Sequence, residues 1–229
     1  MGRAYSVKIL LSVGHSILKN GRYTSADGRP YGGILEYAYN KEIAGKVQTY
    51  LQSAGHEVKL LICPELQFHR SSEERTYKLK EEKSGGYDLV VELHLNASMQ
   101  HNGRGCEVLY KSEKGKLIAQ RIQTQLATVF KDRGIQKREN LYMLAQTKAP
   151  AVIVESFFCD STADCKIAGK TDVAMLIAQG IHGASIRPKD TDPESLYRVQ
   201  VGAYAQKSNA EHMKKKLKEA GYDSTIVQE

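Results

Sequence analysis

Three apolar runs in this chain each end on a side chain that can hold a metal or move a proton. Residues 7–14 run into His15, residues 88–93 into His94, and residues 151–154 into Glu155. Short β-branched and aliphatic runs bounded by Gly, Pro and Asp predict buried strands. In open α/β sheets the ligand site lies beyond the carboxyl ends of the strands. If these three strands are parallel, two imidazoles and a carboxylate converge on one rim.

The segments between them read as helices. Residues 35–54, closed by Gly55, place Ile43, Val47 and Leu51 on one stripe. Counting back along that stripe reaches Asn40 and then Glu36, so both face inward. A carboxylate facing the core is costly unless compensated. The helix dipole returns at most about 1 kcal/mol, and a bound cation offsets far more.

Further along, the pattern predicts a strand over 58–62, a highly charged helix over 71–83 and a strand over 106–110. A long helix over 112–133 follows, striped by Ile118, Ile122, Leu126 and Val129, then a short strand over 141–144 and a last helix over 171–185. Strands alternating with helices imply an α/β fold: a mostly parallel twisted sheet with helices on both faces.

Residues 187–195 are polar, carry Pro188 and Pro193, and read as a linker. Beyond them an alternating strand at 196–203, a basic helix at 208–220 and a strand at 223–227 predict a small C-terminal β-α-β unit. The expected organisation is a catalytic domain over 1–186, a linker over 187–195 and a small unit over 196–229.

No apolar run approaches the roughly 20 residues needed to span a bilayer. The N-terminal apolar stretch runs into Gly14-His15 without a small-residue cleavage site, so no signal peptide is expected and synthesis is expected in the cytoplasm. Cys63, Cys106, Cys159 and Cys165 contain no Cys-x-x-Cys pair and read as plain thiols, Cys159 and Cys165 included. The net charge of +7 fits a polyanionic partner such as nucleic acid, a teichoic-type polymer or an anionic membrane, and equally plain solubility.

Zinc hydrolases hold the ion with three protein ligands, often two His and one carboxylate, and keep the fourth position for water. A separate carboxylate then relays protons. This chain supplies that inventory: His15, Glu36 and His94 as metal ligands and Glu155 as general base and acid. Singly, a strand-end His or Glu is more often structural; the joint arrangement is what points to a site. Glu92, two residues before His94, shares its strand face and reads as a salt-bridge or supporting group rather than a ligand. Asn40, Asn96 and His101 are further candidates to support the site or touch substrate. His56, His69, His182 and His212 read as structural.

These residues resemble the zinc-dependent N-acetylmuramoyl-L-alanine amidases of the amidase-3 type. Gly14-His15 is similar to that family's first motif, Glu36-Tyr-Ala-Tyr-Asn40 to its Glu-x-x-x-Asn helix, and Leu93-His94-Leu95-Asn96-Ala97 to its second histidine motif. Pro150-Ala151-Val152-Ile153-Val154-Glu155 with Phe158 is similar to its catalytic-glutamate motif. The resemblance spans residues 5 to about 186. It implies one Zn²⁺ per chain on His15, Glu36 and His94, catalysis by Glu155, and cleavage of the amide between N-acetylmuramic acid and L-alanine of peptidoglycan. The chain departs from the pattern where the family usually has Asp-Pro before Gly-His and Gly after it: here Ser12, Val13 and Ser16 stand there. Glu92 occupies a position where a small polar residue is common.

Residues 197–229 resemble the first half of a SPOR domain, which implies binding to glycan strands. An unpaired half-sheet points to a homodimer in which two chains complete one sheet. The implied partner is peptidoglycan, with no nucleic acid and no transmembrane segment. The implied setting is cell-wall lysis, by a phage-type endolysin or a sporulation-type autolysin acting on the wall after release from the cytoplasm. Two rivals are weighed against this. A stem-peptide metallopeptidase would commonly use a His-x-x-Glu pair, but residue 18 is Leu18. A non-catalytic module binding anionic wall polymer would rest on the +7 charge and on the Lys214-Lys215-Lys216 run.

Overall fold

The computed structural model describes residues 6–186 and 200–227. The chain divides into two compact units, Met1–Lys189 and Asp190–Glu229.

The first unit is built on a six-stranded sheet of order β2-β1-β3-β6-β4-β5. The strands are β1 (Lys8–Val13), β2 (Glu57–Leu61), β3 (Leu89–Asn96), β4 (Cys106–Tyr110), β5 (Asp132–Lys137) and β6 (Ala151–Phe158). The expected parallel set holds: β1 pairs in parallel with β2 and β3, and β3 with β6. β4 runs antiparallel to β6 and carries β5 parallel to itself, so the sheet is mostly parallel with a reversed edge.

Helices cover both faces. On one lie α1 (Glu36–Ser53), α3 (Glu113–Leu126) and α6 (Val173–His182), enclosing Ile9, Leu11, Val47, Leu51, Val91, Leu93, Ile122, Leu126, Val154 and Ile177 in the larger core. On the other lie α2 (Ser71–Gly85) and α4 (Tyr142–Gln146), over a smaller core that includes Leu10, Leu79, Val90, Leu109, Met143, Leu144 and Ile153. The α1 stripe falls as its spacing predicts: Glu36, Asn40, Ile43, Val47 and Leu51 are all buried.

Two expectations need correction, and one element was not foreseen. The helix expected over 112–133 begins on its Ser112 cap, whose side chain accepts from the Gly115 N–H, but it ends at Leu126. Phe130 is drawn into the core against Phe157, and the chain then pairs with β4 as β5. Gln123 anchors this return by donating to the Cys106 carbonyl and to Asp132. The apolar residues 141–144 form the start of α4 rather than a strand, burying Met143 and Leu144 against β6. Four residues are too few for periodicity to separate the two states. A short helix, α5 (Thr162–Ala168), had no expectation; Ser161 caps it by accepting from the Asp164 N–H.

In the second unit one helix, α7 (Lys207–Glu219), forms close to where it was expected. The expected β-α-β does not: among the described residues neither 200–203 nor 223–227 is strand. Alternation supplies a two-faced segment, but a strand also needs a neighbour to take its backbone hydrogen bonds. Residues 196–199 of the expected strand and the 187–195 linker lie outside the described residues.

Candidate metal and catalytic centre

Sheet parity decides which side chains meet. Along β3, Leu89, Val91, Leu93 and Leu95 enter the larger core, so Glu92 and His94 point to the opposite face with Val90. On β6 the same alternation sends Val152 and Val154 one way and Glu155 the other, beside Ile153. His94 pairs in register with Glu155, and Glu155 with Glu107 of β4. His94, Glu155 and Glu107 therefore stand abreast on one face at the carboxyl end of β3 and β6. Adjacent side chains in such a row lie about 4.5–5.5 Å apart at Cβ.

His15 reaches this row from β1. Its backbone is left-handed, with φ 65°, at the point where the chain leaves the strand. Gly14 before it accepts no side chain, because a Cβ there would run into the His94 ring. The two imidazoles lie 4.7 Å apart, nearly perpendicular. Glu36, the first residue of α1, enters between them. Its Oε1 is 3.1 Å from His94 Nδ1, 3.3 Å from His15 Nε2 and accepts from the Leu95 N–H at 3.1 Å, while Oε2 accepts from the Ala26 N–H. One donor atom each from His15, Glu36 and His94 lie within 4.8 Å of one another, a cluster that could hold a metal ion.

The charges are strongly coupled. Burial alone would push the Glu36 carboxyl up, but hydrogen bonds from His15 and His94 outweigh it and hold Glu36 well below the usual carboxylate range. Burial disfavours charge on His94, yet its bonds to Glu36 and Glu92 push it up to about 10. Glu155 goes the other way. Burial pushes its carboxyl up to about 7, against the His94 charge and with help from Glu36, Glu107 and Glu92. Glu155 Oε2 is buried and has no hydrogen-bond partner within the protein.

Glu92 lies beneath His94. Its Oε1 accepts from Lys78 Nζ at 2.7 Å, and its Oε2 lies 3.3 Å from His94 Nε2. Lys78 also donates to the Val13 carbonyl at 2.7 Å. Ser12, the register partner of Glu92, places Oγ 3.5 Å from Glu92 Oε1.

The remaining candidates scatter around this centre. Asn96 donates to Glu107 Oε1 at 2.6 Å and so touches the row through Glu107. Asn40 is buried one turn below Glu36, and neither end of its amide finds a protein partner. His101 sits in the loop after β3 with Nδ1 2.9 Å from the buried Asp160 carboxylate, and the Tyr31 ring stacks on it at 3.4 Å. His56 and His182 contact each other at 2.9 Å near the start of β1, where Val7 N–H donates to His56, at the other end of the strands from His15. The four cysteines are free.

Sequence reasoning missed Lys78, Glu107 and Asp160. The first two carried readable signals. Glu74, Lys78 and Glu82 recur at spacings of four on α2, a stripe that is polar and yet buried. Glu107 alternates against the inward-facing Cys106 and Val108.

The sheet order, the polar row at its carboxyl end and the His/Glu/His cluster fit an α/β hydrolase whose centre could hold a metal ion. The N-acetylmuramoyl-L-alanine amidase family matches residues 9–186, and the chain belongs to that family; a SPOR domain matches residues 170–228. Its activity is hydrolysis of the peptidoglycan amide. Among its relatives is the sporulation-specific N-acetylmuramoyl-L-alanine amidase of Bacillus subtilis, 26% identical over 230 residues, 96% of this chain and 84% of that protein. The catalytic domain of the CD27L endolysin targeting Clostridia difficile is 47% identical with a TM-score of 0.75, covering 79% of this chain and 99% of that one. The CwlD amidase of Clostridioides difficile, solved with the GerS lipoprotein, shares the fold at 22% identity and a TM-score of 0.65, covering 78% of this chain and 98% of that one.

Proposed function

We propose that this chain cleaves the bond between N-acetylmuramic acid and L-alanine with one zinc ion held by His15, Glu36 and His94, and with Glu155 as general base and acid. The observation that carries the reading is the convergence of two imidazoles and one carboxylate on the strand end that also presents Glu155. Two nitrogens and an oxygen suit zinc. A zinc ion held there would supply a water of pKa roughly 7 and polarise the substrate carbonyl.

The protein's own residues do the rest. Glu155, with its unpaired Oε2 and a pKa near neutrality, is fitted to take a proton from the attacking water and return it to the leaving nitrogen. Burial keeps it there, and like charge from Glu36, and from Glu107 across the β4–β6 pair, adds to the shift. The cost of burying Glu36 is offset by four hydrogen-bonding groups, which hold its Oε1 toward both imidazoles.

The same reading takes residues 1–186 as the catalytic domain, 187–195 as a linker and 196–229 as a wall-directed unit. Val201, Tyr204, Tyr222, Ile226 and Val227 are exposed there, an apolar set that a second copy of the unit would cover. Light scattering at micromolar concentration gives a dimer if it does and a monomer if it does not. Among the described residues no helix is long and apolar enough to cross a membrane. The enzyme would be made in the cytoplasm and reach the wall on release, as an endolysin or a sporulation-type autolysin does.

Product analysis on purified peptidoglycan tests the bond. New N-terminal alanine without new reducing ends supports the amidase reading; cuts within the stem peptide support the metallopeptidase instead.

A further inference from the structure

Two carboxylates face opposite edges of the His94 ring: Glu36 at Nδ1 and Glu92 at Nε2. They are not equivalent. Glu36 lies on the side shared with His15, where the donor atoms cluster. Glu92 lies on the far side and is itself held. Lys78 Nζ contacts it at 2.7 Å, with side-chain exposures of only 4% for the lysine and 6% for the glutamate. Lys78 is fixed in turn by the Val13 carbonyl at the end of β1, two residues before His15. Each ring nitrogen faces a carboxylate, which can only accept, so both can carry a hydrogen while no ion is bound. With an ion among His15, Glu36 and His94, Nδ1 would give up its hydrogen and offer a lone pair, and the hydrogen facing Glu92 would stay.

We propose that Lys78 and Glu92 are positioning residues for His94. Their buried ion pair fixes the ring with Nε2 as hydrogen donor to Glu92 and directs Nδ1 into the metal cluster. The inference rests on the zinc reading above and adds two residues to it. It also gives α2 a task. A buried ion pair stabilises a fold no better than apolar packing of the same volume, so stability alone does not explain a lysine at this place. Outer partners that orient a ligating histidine typically change metal affinity by about 10–100-fold when removed.

Zinc dissociation constants from chelator competition, with ¹⁵N chemical shifts of the His94 ring in the zinc-loaded protein, test this on the full chain. Glu92→Leu combined with Lys78→Met removes both charges and leaves neither buried alone, so folding is kept. The double variant is expected to bind zinc at least about 10-fold more weakly and to lose the single Nε2–H tautomer. Glu92→Gln, whose carbonyl still accepts, is expected to keep that tautomer and bind within a few-fold of wild type. A double variant with wild-type affinity and an unchanged tautomer overturns the inference, as does a Glu92→Gln ring that switches tautomer. If the unaltered chain binds no zinc, it is the metal reading that fails.

Discussion

The two faces of the sheet bury their helices by different means. Under α1, α3 and α6 the contact is mostly hydrocarbon, from Ile9 to Ile177, interrupted by Glu36 and Asn40 on α1 and Gln123 on α3. Under α2 and α4 the apolar contact is smaller, and at the carboxyl end of β3 and β6 it gives way to Glu92, His94, Glu155 and Glu107. The helix over that part is charged on its inner side: Glu74 meets Thr24, Lys78 meets Glu92, and Glu82 accepts from the Lys148 and Ala149 N–H groups. One face provides the stability that lets the other hold charges in place. Activity belongs to the second together with Glu36 from the start of α1, at some cost in folding energy.

Substitutions separate the two. Glu155→Gln on the polar face is expected to lower kcat on peptidoglycan by about 10²–10⁴-fold, the usual range for a lost proton relay, with zinc content unchanged. Wild-type digestion by that variant would show that Glu155 is misassigned. Lys78→Met alone leaves Glu92 buried without its cation, and denaturant titration should show a loss of about 3–5 kcal/mol. On the apolar face Ile122→Ala should cost about 2–5 kcal/mol, yet leave the zinc affinity of the folded fraction unchanged.

The polar face should also make stability depend on pH. Glu155 has a folded pKa raised to about 7 from an ordinary carboxylate value. A raised carboxyl stabilises the fold below its unfolded pKa, and that contribution is lost as pH climbs through the folded value. Chelated wild-type protein should therefore lose on the order of 3 kcal/mol from this group between about pH 4.5 and 8. Glu155→Gln should flatten that part of the curve, as read from Tm against pH. The smallest effect lies far from the charges. Ser112→Ala removes the cap of α3 and should cost about 1 kcal/mol, with no change in activity.

What could be read in the sequence follows the same division. The α1 stripe exposed the buried position of Glu36 because a helix face repeats every three to four residues, and Ile43, Val47 and Leu51 fix its phase. The strands that end near His15, His94 and Glu155 were legible as apolar runs. The row His94–Glu155–Glu107 was not, because register between distant strands is set by the fold and not by neighbours in the chain. Lys78 was harder to read: its spacing of four from Glu74 and Glu82 marks a stripe, but in a helix as charged as α2 a polar stripe does not by itself say that it is turned inward. The end of α3 at Leu126 depended on a pairing between β4 and β5 that the stripe of Ile118, Ile122, Leu126 and Val129 cannot show. Alternation at 196–203 carried no partner strand with it, and none forms over the described part of that segment.

A zinc count on protein stripped with chelator and reloaded is the most direct check on the centre. One ion per chain in the unaltered and Glu155→Gln proteins, and none in folded Glu36→Ala, is the expected result. Full zinc occupancy in folded Glu36→Ala would mean that the ion, if it belongs to this protein at all, is held somewhere else.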